Sequence, residues 1–327
     1  RNSIGSANAT ICSLQFDMEL EVGEEQDISL ILGIGQEEKD SVPFKEKYLL
    51  NQEKYFEEVK SYYKALYTQN HITTEDEHLD RLINFWGKHA TNFGATWCRW
   101  GYNGYRDIVQ HGFGVVAFKT DRTREILKEA VANQYASGMA VRGWNPVDTK
   151  PYSDSALWLE FTLTAYLRET GDIDFLNEVV PFRDEGEATI LGHMDRALNF
   201  LESNKGEHDL LLIKFGDWND SLTGVGKEGK GESVWLSIAY AQALLEMAEL
   251  AKFMKDEAKE KDYLARREAI VNAINANAWD GEWYRRCYTD AGKPLGSNEN
   301  KYAKMFMEPQ CWSLISGVAS EERANTI

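Results

Sequence analysis

Lys214-Phe215-Gly216-Asp217-Trp218-Asn219-Asp220, joined eleven residues on by Gly231-Glu232-Ser233-Val234-Trp235, fills a connection (204–232) much longer than two neighbouring helices need. On either side, residues 187–203 and 233–255 repeat apolar side chains every three or four positions, the period of an α-helix. The alternation recurs along the chain. Helical stretches are predicted at 76–93, 121–139, 154–170 and 257–277, and long connections at 94–120 and 140–153, where most of the Gly, Trp, Asn and Asp lie. Long loops inside a compact helical domain are usually functional. The pattern predicts a mainly α fold, a toroid of paired helices whose chemistry-bearing loops meet at one mouth. Residues 281–300, with Trp283-Tyr284-Arg285-Arg286 and Asp290-Ala291-Gly292, read as a short hairpin on that mouth.

Upstream the period changes. Residues 9–16 and 28–35 are short apolar bursts separated by the polar run 21–27, which predicts two β-strands joined by a turn. Residues 36–75, rich in Glu and Lys with Pro43 near the start, read as a linker and helix leading out of the β region. The chain starts at Arg1 in what reads as the middle of a strand, so a fragment of a longer polypeptide is expected.

Composition narrows the ligand. With 36 Lys plus Arg against 53 Asp plus Glu, the formal charge is −17, which argues against nucleic acid or an anionic membrane as partner. Ten Trp, fifteen Tyr and fourteen Phe suit neutral, hydroxyl-rich ligands, although aromatic cores are the commoner use. Cys12, Cys98, Cys287 and Cys311 form no close pair, so free thiols are expected. No window has the length and apolarity of a membrane span, no secretory leader is visible, and a cytoplasmic location is expected.

The chemistry reads as sugar chemistry. A carboxyl beside an indole and partly buried can deliver a proton to a glycosidic oxygen, while the indole offers a flat face to a pyranose ring. The competing reading of Asp217-Trp218-Asn219-Asp220 is an Asx-type turn that holds only its own backbone. A second loop, Trp97-Cys98-Arg99-Trp100-Gly101-Tyr102-Asn103-Gly104-Tyr105-Arg106-Asp107-Ile108-Val109-Gln110-His111, offers Arg99, Arg106 and Asp107 to sugar hydroxyls, or else an Arg106–Asp107 ion pair that pins the loop. Asp154, in Tyr152-Ser153-Asp154-Ser155, is a sugar ligand or, taken alone, a helix N-cap. His193 falls inside a helix and reads as a core residue. The glycine-rich run 224–231 does not match G-x-x-x-x-G-K-[ST] and reads as a mobile loop. No metal-ligand spacing and no G-x-S-x-G elbow is present in the sequence.

Taken in order, R-W-G-Y-N-G-Y-R-D, S-D-S-A-L-W-L, Y-L-R-E-T-G-D, G-D-W-N-D and G-K-G-E-S-V-W-L resemble the inverting phosphorylases of glycoside hydrolase family 94. The resemblance implies the last strands of a β-sandwich at 1–40, a helical linker at 41–74 and an incomplete (α/α)6 barrel at 75–327. It implies that Asp220 is the general acid, and that Arg99, Arg106, Asp107, Asp154, Trp218, Asn219 and Glu232 bind substrate, with Asp217 and Glu232 as alternative carboxylates. The family's R-D-x-x-Q-D appears as Arg106-Asp107-Ile108-Val109-Gln110-His111, with His in place of the last Asp. The implied partners are a β-linked gluco-oligosaccharide and inorganic phosphate as co-substrate, with no cofactor or metal, and a possible homodimer or association with the remainder of its own polypeptide. The family's phosphate-binding residues are expected beyond residue 327. The implied reaction is reversible phosphorolysis to α-glucose 1-phosphate with inversion. An inverting β-glucan hydrolase and a non-catalytic carbohydrate-binding remnant are the alternatives.

Overall fold

The computed structural model describes residues 13–33, 39, 41–98 and 103–327. The chain divides into two compact units, Arg1–Ala65 and Leu66–Ile327. In the first, α1 (Ser41–Tyr48) leads into α2 (Gln52–Thr68), whose last residues, from Leu66, belong to the second unit. The two upstream strands are not seen in the described part of that region: residues 13–33 carry no strand and are exposed throughout. A strand persists through ladder bonds to a neighbour. The described hydrogen bonds of this segment's backbone are local, from Glu24 N to Glu21 O and from Glu21 N to the Glu24 carboxylate, each 3.0 Å.

After α2 the second unit continues with α3 (Glu77–Arg81), capped by the Asp76 carboxylate, and passes through a π-turn at Leu82–Gly87 into α4 (Lys88–Trp97). After β1 (Asn103–Gly104) come α5 (Tyr105–Val115), α6 (Thr120–Val131), β2 (Gly143–Asn145) and β3 (Val147–Asp148). Next are α7 (Trp158–Thr170), β4 (Val179–Pro181), β5 (Glu187–Thr189) and α8 (Ile190–Glu202). The chain continues through β6 (Glu232–Ser233), α9 (Val234–Phe253) and α10 (Glu257–Asn277). It closes with β7 (Cys287–Tyr288), β8 (Pro294–Leu295), α11 (Met307–Ile315) and α12 (Glu321–Thr326). β1–β2–β3, β4–β5 and β6–β7–β8 form small antiparallel sheets in the connections.

Two layers follow from composition. α7 and α9 are apolar nearly all round, and such a helix must be covered on every side. They pack on each other, α7 also on α5 and α9 also on α11, making an inner row. α10 buries only Tyr263, Ile270 and Ile274, turns its charged face outward and packs on α9, while α6 lies against α5 and α7. Thr189, Ser233 and Asp256 each cap the helix that follows by accepting a backbone N–H, and Gly171, at φ 67°, closes α7 in the left-handed conformation. The core is therefore helical, and the strands serve the loops.

One helix was missed. The stretch 94–120 reads as a loop, yet Tyr105–Val115 is helical. In the opposite direction, the stretch 121–139 stops at Val131, where the Asn133 amide donates to Glu129 O at 2.9 Å and turns the chain. His193 is a core residue, held by Gln134 Oε1 at 2.7 Å and Val180 O at 3.0 Å, and its burial lowers its proton affinity. No helix among the described residues is long and apolar enough to cross a membrane.

Glu160, inside α7, is fully buried and, among the described residues, neither carboxyl oxygen has a hydrogen-bond partner. Burial, with help from Asp195 and Glu246, pushes its proton affinity well above the usual carboxylate range. A folded-state pKa above the unfolded one contributes stability at low pH that is lost as pH rises toward the folded value. Glu160→Gln is therefore expected to stabilise the fold, with a gain that grows as pH rises above the ordinary carboxylate range, by no more than about 1.4 kcal/mol per pH unit. Urea midpoints of both proteins over that rise in pH check it, and parallel pH slopes would show that Glu160 is not the group responsible.

Candidate active site

The described site is built where the amino ends of α5, α7 and α9 converge. Tyr152 forms bridges to Lys214 and Gly216, and Ser153 Oγ donates to Ile213 O at 3.1 Å, so the segment before α7 is stitched to the loop carrying Asp217 and Asp220. Gly216 is required there: a Cβ would stand 2.9 Å from the Tyr152 ring. Two guanidiniums lie over the same ring, Arg106 at 5.2 Å and Arg142 at 4.8 Å from its centre, cation–π contacts that help orient both.

Arg106 is the hub. Its Nη1 reaches Asp154 Oδ2 at 3.1 Å and also donates to the Asp217 carbonyl, while its Nη2 is ion-paired to Asp220. Burial alone would lower the guanidinium's proton affinity; the carboxylates of Asp154 and Asp220 outweigh it and raise it. The Arg106–Asp107 pin proposed from the sequence is thus replaced by longer-range partners. Asp154 makes no cap hydrogen bond to the turn it precedes. It is fully buried and accepts from Arg106 and, at 3.1 Å, from Trp158 Nε1, so the N-cap reading is corrected: a carboxylate under a buried guanidinium is worth more there than at a helix end.

The two carboxylates of the 214–220 loop part company. Asp217 is fully buried and gripped by Arg286, whose Nη2 lies 2.6 Å from Oδ1 and Nη1 2.8 Å from Oδ2, while Ser233 Oγ donates to Oδ2 at 2.6 Å. It cannot reach a ligand. The Asp220 side chain is 56% exposed, opens a short 3-10 turn (Asp220–Leu222) and has Arg142 Nη2 3.8 Å away. It borders a cavity of about 290 Å3, close to the ~300 Å3 lower bound of small-molecule pockets. Phe93, Gly94, Arg106, Asp107, Gln110, His111 and Trp218 line the same cavity. Asp107, Gln110 and His111 share one face of α5, being three and four residues apart.

Trp218 is 37% exposed and stands at the edge of an indole cluster, 5.3 Å from Trp235 and 5.5 Å from Trp158, with Trp312 closing the group. Asn219 turns away from the cavity lining. Its Oδ1 accepts from Ser221 N at 3.0 Å, an Asx turn, and its Nδ2 donates to Glu308 at 3.2 Å. Glu232 is also elsewhere: 2% exposed, it accepts the backbone N–H of His208 at 2.9 Å and pairs with the His208 ring, holding the 206–210 turn. Arg99 lies outside the described residues. The glycine-rich run expected to be mobile is tied down, because the Asp290 carboxylate accepts the N–H groups of Glu228, Lys230 and Gly231 at 2.9 Å each.

Sequence reasoning missed Arg142 and Arg286, each more than sixty residues from the carboxylate of the 214–220 loop it faces, and gave Gly94 no role. No group of three His, Cys, Asp or Glu among the described residues could hold a metal ion.

The model of the glycosyl hydrolase 94 superfamily catalytic domain matches residues 62–327. Solabiose phosphorylase from Paenibacillus borealis is 42% identical over 247 residues, 75% of this chain and 32% of that protein. Cellobionic acid phosphorylase from Neurospora crassa is 30% identical over 324 residues, 95% of this chain and 41% of that protein. The chain thus spans 32% to 41% of the length of these two relatives. Among solved structures, a rhamnosidase from Klebsiella oxytoca with rhamnose bound superposes with a TM-score of 0.56 at 14% identity, over 78% of this chain and 47% of that one. A family 78 rhamnosidase of Bacillus sp. GL1 gives 0.54 at 15%, over 69% and 22%. These two share the fold.

A Cβ on Gly94 would stand 2.3 Å from the His111 ring, so α4 can pass the imidazole only with glycine there. Gly94→Ala is expected to destabilise by about 1–3 kcal/mol through overpacking. Adding His111→Ala should restore most of the loss, because the two changes share one contact. Chemical denaturation of the two singles and the double checks this; additive losses would mean that the alanine methyl strains something other than His111.

Proposed function

This chain belongs to the glycosyl hydrolase 94 superfamily, and from that premise we propose that the protein carrying it phosphorolyses β-linked gluco-oligosaccharides, releasing α-glucose 1-phosphate with inversion. The helical unit would then be part of an (α/α)6 barrel, whose inner helices open their amino ends onto the substrate. The observation that carries the reading is the half-exposed Asp220 on a cavity that also presents Asp107, Arg106 and the Trp218 indole.

Asp220 is the general acid. Its proton passes to the bridging oxygen as the bond from that oxygen to the anomeric carbon breaks, and the departing saccharide leaves as an alcohol. A phosphate oxygen forms the new bond to the anomeric carbon from the opposite face, which inverts the centre. Phosphate arrives already charged, so no protein base is required, unlike the two-carboxylate inverting hydrolases. The burial of Asp217 and Glu232 supports this, because neither alternative carboxylate can activate a water in the cavity. Trp218 would supply a face for a sugar ring, and Asp107, with Arg99, would bind its hydroxyls. Asp154, Asn219 and Glu232 would act by holding the loops rather than by touching substrate. His111, where the family pattern has Asp, puts an imidazole on the cavity wall one helical turn beyond Asp107. The names of two relatives, solabiose phosphorylase and cellobionic acid phosphorylase, support phosphorolysis of a glycoside as the reaction class.

Incubation with a panel of β-linked disaccharides and inorganic phosphate is expected to release a sugar 1-phosphate, with no turnover when phosphate is left out. Free sugar released without phosphate would make the protein a hydrolase. Asp220→Asn should lower kcat by about a thousandfold or more while leaving the thermal midpoint in place; a variant with near-normal kcat would reject Asp220 as the acid.

A further inference from the structure

Asp217 and Asp220 are three residues apart, one wholly buried and one on the cavity, and the buried one is held from a distant part of the chain. Arg286 grips it with both terminal nitrogens, at 2.6 and 2.8 Å, and both side chains have zero exposure. The Arg286 backbone is itself fixed. Its N–H donates to Leu295 O at 2.8 Å, its carbonyl accepts from Val234 N at 3.1 Å, and Gly296, at φ 77°, passes so close that a Cβ there would lie 2.8 Å from Arg286 N. The β6–β7–β8 sheet therefore presents the guanidinium on a rigid frame.

The grip runs on toward the acid. Asp217 Oδ1 accepts the Asn219 backbone N–H at 3.0 Å, and the Asp217 carbonyl accepts from Arg106, which also pairs with Asp220. Ser233 Oγ, which donates to Asp217, also caps α9 by accepting Leu236 N at 3.0 Å, so the loop and the helix end share one hydroxyl. The residue just before Asp220 thus takes its position from Asp217, and Asp217 takes its own from Arg286. The described side-chain contacts of Asp220 are to two arginines that a bound sugar would compete with. The loop backbone is what remains to aim it.

We propose that Arg286 is a positioning residue for the acid step: through its bidentate hold on Asp217 it sets where the Asp220 carboxyl meets the leaving oxygen. The fork geometry is the point. Lysine would keep the charge but offer no paired N–H groups to the two carboxylate oxygens. This inference rests on Asp220 being the general acid, so its test separates the two claims.

The experiment compares a natural β-linked disaccharide, whose leaving alcohol must be protonated, with a 2,4-dinitrophenyl β-glycoside, whose phenolate leaves without a proton. Arg286→Lys and, as a smaller change, Asp217→Asn are assayed for phosphorolysis of both, beside Asp220→Asn as the reference. With the acid misplaced, kcat on the disaccharide should fall about a hundredfold, KM should move by less than about threefold, and kcat on the dinitrophenyl glycoside should fall by less than about threefold. Equal losses on both substrates would make Arg286 a general structural residue and overturn the proposal, as would no loss on either. Failure of both variants to fold would count against it in the same way. If Asp220→Asn itself lacks the substrate split, the acid assignment fails, whatever Arg286 does.

Discussion

Two buried guanidiniums hold the 214–220 loop, Arg106 from α5 at the Asp217 carbonyl and Arg286 from the edge of β7 at the Asp217 carboxylate, and the rest of the site is arranged around that constraint. A buried ion pair gains little over an apolar contact of the same size, because both charges have been taken out of water. Its geometry is what it contributes. Removing one partner leaves an uncompensated charge, at a cost of about 3–5 kcal/mol, so the loop has no low-energy alternative in which Asp217 swings free. Arg106 adds a second tether on the Asp217 carbonyl and couples it to Asp154, which is anchored to Trp158 at the start of α7. Three inner helices and one small sheet thus meet at one heptapeptide.

The aromatic residues complete the frame. Trp158, Trp235 and Trp312 come from α7, α9 and α11, and Trp218 from the loop itself. Their rings meet at centroid distances of 5.3 to 6.5 Å, some stacked and some edge-to-face, the arrangements that aromatic quadrupoles favour. Three of the four rings lock the helix ends together, and the fourth is left partly open to the cavity. That partly exposed indole is stiff because its back face is already packed.

How much of this was legible in the sequence depends on which face of each element is apolar. α7, α9 and α10 could be read to within a few residues, because core packing imposes the helical period and Ser233 and Asp256 mark two of the starts. α5 could not. Its inner face carries Arg106, Asp107, Gln110 and His111, and Gly112 and Gly114 interrupt the pattern, so a helix that lines a polar site loses the signal by which helices are found. The Asp217-Trp218-Asn219-Asp220 motif was plain, but the division of roles within it was not. That division depends on Arg286, 69 residues further along, and on Arg106, 111 residues before it, and no local pattern encodes such pairs. Glu232 was overvalued for a related reason: beside glycines it resembles a site residue, yet its acceptors are spent on the His208 turn.

Burial, rather than residue type, separates the carboxylates. Asp154, Asp217 and Glu232 are each at most 2% exposed and each is satisfied by donors of the protein itself, so they behave as rivets between loops. Asp220 has the same side chain as two of them. Its difference is that the 3-10 turn it opens projects it into the cavity, where more than half of its surface is open to whatever binds. A carboxyl left half-exposed beside two arginines is kept from collapsing onto them when other carboxylates occupy those arginines first. Asp154 does so for Arg106 and Asp148 for Arg142, whose Nη1 reaches Asp148 Oδ2 at 3.0 Å. With each guanidinium already shared, neither holds Asp220 as its only partner.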